Sequence, residues 1–121
     1  SPPNPEAVFL VRMAKALKLA CIGCGARAQT YTALAAKQPD HFQIVAGADP
    51  VAERVEKVRR ISGRTDFRGF ASAEALLSAG KIADVMIVAT QDNSHYANCK
   101  GALRLGYDVL LEKPISTTAA P

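Results

Sequence analysis

Leu17-Lys18-Leu19-Ala20-Cys21-Ile22-Gly23-Cys24-Gly25-Ala26-Arg27-Ala28 is the stretch on which the reading of this chain turns. Its first six residues have the apolar character of a strand buried in a parallel sheet. From Ala26 the sequence continues in alanine and other good helix formers to about residue 37. Between the two lies Gly-x-Gly-x-x-Ala, a pattern that has meaning only where a strand turns into a helix, and there it points to a dinucleotide site. Gly23 would make the tight turn, Gly25 would let the backbone approach a pyrophosphate, and Ala28 would allow close contact between helix and strand. Free N–H groups at the helix start would face the anion. Cys24, Ala26 and Arg27 complete the loop and are expected beside the cofactor.

A glycine turn of this kind calls for an acidic residue at the end of the second strand, about 20 residues further on. Residues 43–48, Gln-Ile-Val-Ala-Gly-Ala, read as that strand, and Asp49 closes it. A carboxylate there accepts hydrogen bonds from the adenosine ribose 2′-OH and repels a 2′-phosphate, which favours NAD over NADP. The plainer alternative for Asp49 is an N-cap carboxylate ahead of Pro50, which is expected to open the next helix. Arg27 in the loop and Arg54 in the following helix could each contact phosphate, although a solvated surface arginine is the simpler reading of Arg54.

Composition narrows the function classes. The 121 residues make one compact unit, half of them hydrophobic and none of them tryptophan, which suits an alanine- and valine-rich α/β sandwich better than a base-stacking surface. The net charge of +4 is mild, and the cluster Lys57-Val58-Arg59-Arg60 reads as a solvated helix face, so nucleic-acid binding is not expected. The three cysteines are an odd count and Cys21 falls in a buried strand, which argues against a disulfide framework and for a reducing, cytoplasmic location. Cys21 and Cys24 match C-x-x-C only formally; no second pair completes a metal site, and none is expected. Ser1-Pro2-Pro3-Asn4-Pro5 cannot begin a helix or strand, and residues 1–16 are expected to be a flexible extension or a lead left from cloning. No stretch is long and apolar enough to span a membrane.

The remainder alternates helix and strand without a linker or repeat. Residues 51–62 read as a helix ended by Gly63, residues 66–70 as a short third strand or an extended loop, and Ser72 as the N-cap of a helix stopped by Gly80. Residues 85–89, Val-Met-Ile-Val-Ala, form the clearest buried strand; a helix over 94–105 and a fifth strand at 109–111 follow. Right-handed crossovers then give a Rossmann-type doubly wound parallel sheet, α/β in class, of order 3-2-1-4-5. Ligands collect beyond the carboxyl ends of such strands, where the order reverses. The glycine loop, residues 90–95 and Glu112-Lys113-Pro114 converge there.

Gly-x-Gly-x-x-Ala after strand 1, Asp49 after strand 2, Ala89-Thr90 with His95 after strand 4, and Glu112-Lys113-Pro114 after strand 5 resemble the N-terminal domain of the Gfo/Idh/MocA oxidoreductases, the glucose–fructose oxidoreductase and inositol dehydrogenase family. The resemblance covers about residues 17–118 and rests on the order and spacing of motifs. It implies that Lys113 is the catalytic lysine that hydrogen-bonds the substrate hydroxyl, that Glu112 lies near the nicotinamide ribose, and that the Lys113–Pro114 peptide is cis. It also implies that Thr90, Gln91 and Asn93 line the cofactor by their backbone; Gln91 stands where many members carry proline. His95 matches a family histidine that shapes the site, with a local hydrogen bond at the helix start as the alternative. His41 reads as a surface loop residue.

Members continue into a second α/β domain that carries further catalytic residues, so residues 17–121 are expected to be the cofactor domain alone, inactive without the rest. The function implied is NAD-dependent oxidation of a secondary alcohol in a sugar, cyclitol or related compound. An NAD-dependent glycosidase of similar N-terminal fold and a non-catalytic dinucleotide-binding module are the alternatives. An unpaired edge at strand 5 would favour homo-oligomers.

Overall fold

The structure, a computed structural model, describes residues 15–90 and 94–111. β1 (Leu17–Ile22), β2 (Phe42–Ala48), β3 (Arg68–Phe70), β4 (Val85–Val88) and β5 (Asp108–Leu111) form one parallel sheet in the order β3-β2-β1-β4-β5. Between them run α1 (Ala26–Ala36), α2 (Ala52–Ser62), α3 (Ala73–Ser78) and α4 (Ser94–Arg104). This is the doubly wound order read from the sequence, and residues 68–70 resolve the strand-or-loop alternative in favour of a strand.

The sheet separates two cores, as alternation along a strand buried on both faces requires. Ala20, Ile22, Met86 and Val88 pack on one face with Leu76 of α3 and Ala102 of α4. Cys21 and Ile87 pack on the other with Ala28 and Ala35 of α1 and Val55 and Val58 of α2. β2 departs from strict alternation. Leu19 pairs with Ile44 and Ala20 with Ala46, so Val45 is an extra residue, and Val45 and Ala46 join the same core.

Local chemistry fixes the ends. Gly63 terminates α2 in the left-handed region at φ +67°, and its N–H donates to the Arg59 and Arg60 carbonyls. The Ser72 hydroxyl caps α3 by accepting from Ala75 N–H at 3.1 Å. Pro50 does not open α2 as the sequence suggested. The Asp49 side chain accepts from Val51 N–H at 2.8 Å, and this turn makes Val51 the N-cap, so Pro50 lies one residue outside it.

β5 forms one edge of the described sheet, where Leu110 and Leu111 are exposed. No described helix is long and apolar enough to cross a membrane.

Candidate functional site

The carboxyl ends of β1, β2 and β4 open onto a groove of about 820 Å³. Its floor is the turn after β1. Gly23 adopts φ +93°, and a Cβ there would lie 3.1 Å from the Ala89 carbonyl carbon and oxygen and 3.2 Å from Thr90 N. Glycine is therefore required twice over, by the dihedral and by the approach of two backbones. Gly25 differs. It is the N-cap of α1, its φ of −79° suits any residue, and a Cβ there would meet nothing within 4 Å. That open space adjoins the helix start, where α1 has neither a side-chain cap nor an acidic residue in its first turn. First-turn N–H groups that a helix cannot pair internally, with the positive end of its dipole, suit an anion. Gly25, Ala26, Arg27 and Ala28 line the groove, and Ala28 is fully buried on its sheet side.

Asp49 forms the opposite wall. It is only 6 % exposed, and both carboxylate oxygens are held: Oδ2 accepts from Cys24 N–H at 2.9 Å and Oδ1 from Val51 N–H. The Asp49 carboxylate is thus not the N-cap of α2; it bridges the glycine turn and the start of that helix. Arg54 Nη1 stands 3.9 Å from Oδ2 on a largely exposed side chain, a pairing that solvent leaves weak.

Cys24 sits behind the groove wall. Its thiol is buried, donates to the Ala48 carbonyl at 3.6 Å and rests against Gly47, where a Cβ would come within 2.9 Å of Sγ. Burial, reinforced by the Asp49 charge, pushes this thiol up to about 12, and burial also raises Cys21. Neither is set up as a nucleophile. Among the described residues no cluster of His, Cys, Asp and Glu could hold a metal ion.

At the end of β4, Thr90 lines the groove and its Oγ1 lies 3.2 Å from His95 Nδ1. His95 is thus placed for the local hydrogen bond named as the alternative, and its other ring nitrogen is buried without a partner among the described residues. Gln91, Asn93, Glu112, Lys113 and Pro114 lie outside the described residues, as does the Lys113–Pro114 peptide.

Sequence reasoning missed three residues. Gln29 Nε2 donates to the Cys24 carbonyl at 3.0 Å, while Pro50 and the exposed Val51 line the groove beside Asp49. An apolar residue directly after Asp-Pro, at the start of a helix whose core positions begin later, was the available signal for Val51.

A model of an oxidoreductase family with an NAD-binding Rossmann fold matches residues 17–121. The chain belongs to the Gfo/Idh/MocA oxidoreductase family. Like its relatives in that family, it carries an NAD-binding domain. Among solved structures, the WlbA dehydrogenase from Chromobacterium violaceum, in complex with NADH and UDP-GlcNAcA, is similar with a TM-score of 0.72 and 25% identity over 85% of this chain and 29% of that one. An oxidoreductase from Agrobacterium radiobacter, in complex with NAD+, L-tartaric acid and magnesium, has a TM-score of 0.68 and 30% identity over 84% of this chain and 28% of its own. The fold is also that of myo-inositol dehydrogenase from Lactobacillus casei, in complex with NAD(H) and myo-inositol, with a TM-score of 0.72 and 23% identity over 85% and 30% of the two chains. The present chain thus spans less than a third of each of these Gfo/Idh/MocA-fold neighbours. No curated protein matches it.

Proposed function

We propose that this chain is the cofactor domain of an NAD-dependent dehydrogenase that oxidises a secondary alcohol in a sugar, cyclitol or related compound. The observation that carries the reading is the pairing of a buried, doubly held carboxylate at the end of β2 with an uncapped helix start and a bare glycine at the end of β1. The pyrophosphate would lie against Gly25, Ala26, Arg27 and Ala28, held by backbone N–H groups. Each Asp49 oxygen keeps a lone pair beyond those its protein donors occupy, enough to accept from ribose hydroxyls. A 2′-phosphate would meet that negative charge at close range, hence NAD over NADP. Val51 and Arg54 would border the adenine.

Bound NAD would supply the redox chemistry, as the hydride acceptor for the carbinol carbon. Thr90, Gln91, Asn93 and Glu112 belong to the nicotinamide side of the site on this reading, with His95 holding Thr90. Lys113 would hydrogen-bond the substrate hydroxyl, because a cation beside a developing alkoxide stabilises it and eases departure of the proton. UDP-GlcNAcA, myo-inositol and L-tartaric acid, the compounds bound by the neighbours, all carry secondary hydroxyls, which supports the substrate class.

Calorimetric titration of the chain with NAD and NADP in parallel tests the cofactor assignment. Selective NAD binding is expected; tighter NADP binding would transfer the choice from Asp49 to Arg27 or Arg54. In the full-length enzyme, Lys113→Met should abolish turnover while NAD binding persists, and full turnover would remove Lys113 from the chemistry.

A further inference from the structure

We infer that Asp49 is a positioning residue for the glycine loop as well as the acceptor for the ribose, so that one carboxylate sets both cofactor choice and the shape of the phosphate-binding turn. The ribose half of this statement rests on the NAD-site reading above; the loop half rests on geometry alone.

Cys24 lies between two glycines, the residues that restrain a backbone least. Left to itself, such a turn would sample many conformations. Three side-chain contacts remove that freedom. The Cys24 N–H donates to Asp49 Oδ2 at 2.9 Å, its carbonyl accepts from Gln29 Nε2 at 3.0 Å, and its thiol donates to the Ala48 carbonyl at 3.6 Å. The bond to Asp49 is buried and charge-assisted, and it links residues 25 apart in sequence. The other carboxylate oxygen holds Val51 N–H at 2.8 Å, so the same group also anchors the start of α2.

Only a carboxylate satisfies this arrangement, because both donors are N–H groups and each needs an acceptor. Asparagine offers one oxygen. Its NH2 group would then face either Cys24 N–H or Val51 N–H, donor against donor, on a largely buried side chain. An exchange at Asp49 that removes the charge opposing a 2′-phosphate therefore also releases the loop that binds the pyrophosphate common to both cofactors.

The test is amide hydrogen exchange by NMR on the cofactor-free 121-residue chain, wild type against Asp49→Asn and Asp49→Ser, followed by NAD and NADP titrations of each. Cys24 and Val51 amides are expected to exchange about tenfold faster or more in Asp49→Asn, with Ile87 in β4 unchanged within about twofold. Unchanged exchange at Cys24 would overturn the inference. Should neither variant fold, the wild type decides: a scalar coupling between Cys24 15N and Asp49 13Cγ across the hydrogen bond is expected, and its absence with fast exchange of the Cys24 amide overturns it.

In the titrations Asp49→Asn should lose about tenfold or more in NAD affinity without bringing NADP to the wild-type NAD level. A variant that binds NADP as tightly as the wild type binds NAD would refute the coupling of charge and loop. If the wild type binds neither cofactor while Cys24 exchange still quickens in Asp49→Asn, the NAD-site reading fails and the loop function stands.

Discussion

Gly23→Ala and Gly25→Ala add the same methyl group two residues apart and should give opposite phenotypes. At Gly23 the backbone has φ +93°, a region that costs an L-residue roughly 1–2 kcal/mol. The new Cβ would also stand 3.1 Å from the Ala89 carbonyl and 3.2 Å from Thr90 N. These are backbone atoms at the end of β4, so relief requires β1 and β4 to separate by a few tenths of an ångström at the centre of the sheet. Overpacking of this kind costs about 1–3 kcal/mol, partly offset by the roughly 0.4–1 kcal/mol that alanine gains by stiffening the unfolded chain. The net expectation for Gly23→Ala is about 3 kcal/mol of destabilisation, or a fall in Tm of roughly 10 °C for a domain of this size. At Gly25 the φ of −79° is ordinary and the methyl meets nothing. The small loss from replacing an N-cap glycine is matched by the same unfolded-state gain, so stability should hold within about 0.5 kcal/mol. Its NAD affinity should nevertheless fall about tenfold, since the methyl stands where the pyrophosphate would approach the loop. Urea unfolding gives the first pair of numbers and calorimetry the second. Equal destabilisation by the two variants, or a Gly23→Ala protein as stable as wild type, would refute the division of labour assigned to the two glycines.

Tyr107→Phe leaves the Ile82 N–H and the Gly80 carbonyl without the phenol that joins them at 2.9 Å each; urea unfolding should register a loss of about 1–3 kcal/mol, and NAD titration no change. Gly47→Ala would drive a Cβ to 2.9 Å from Cys24 Sγ and 3.2 Å from Phe67 Cζ, a cost of about 1–3 kcal/mol. Cys24→Ala should recover part of it, and a double-mutant cycle with no coupling would deny the contact. The thiols of Cys21 and Cys24 are raised by burial, so between roughly pH 9 and 12 the unfolded chain releases protons that the native chain keeps. Stability from these groups is complete below about pH 8 and falls as pH rises beyond 9, the sign opposite to that of a paired carboxylate. The urea midpoint of the wild type should therefore drop more steeply above pH 9 than that of Cys21→Ala/Cys24→Ala, and parallel slopes would show that the thiols titrate freely.

The features legible in the sequence were those whose cause is local. A glycine forced to positive φ, a run of buried residues between turns and a hydroxyl one residue before a helix all announce themselves within a few positions, which is why β1, the Gly23 turn, the Ser72 cap and the Gly63 stop lie where the pattern put them. What stayed hidden depends on a partner far along the chain. The extra residue at Val45 exists only relative to the register of β1, and the position of Pro50 outside α2 follows from where the Asp49 side chain turns. Cys24 read as a loop residue facing a ligand because nothing near it in sequence reveals that Gly47 leaves room for its thiol beneath.

Asp49 shows why the long-range part matters for function. A carboxylate meant to discriminate against phosphate must be kept in place without being neutralised. Holding it with an arginine or lysine would fix its position but cancel the field that does the discriminating. The fold holds it instead with two uncharged N–H donors, from Cys24 and Val51, and the Arg54 guanidinium, 3.9 Å away, is largely exposed. The charge is still felt nearby, since it adds to burial in raising the Cys24 thiol. On the proposed reading, selectivity for NAD thus comes from the neutrality of the groups that grip Asp49 as much as from Asp49 itself. Bringing a further cation next to Asp49 at the mouth of the groove, as in Val51→Arg, should then weaken selectivity while leaving the loop intact, with Cys24 amide exchange unchanged and NADP affinity increased. A gain in NADP binding accompanied by faster Cys24 exchange would mean that the charge and the grip cannot be separated in this way.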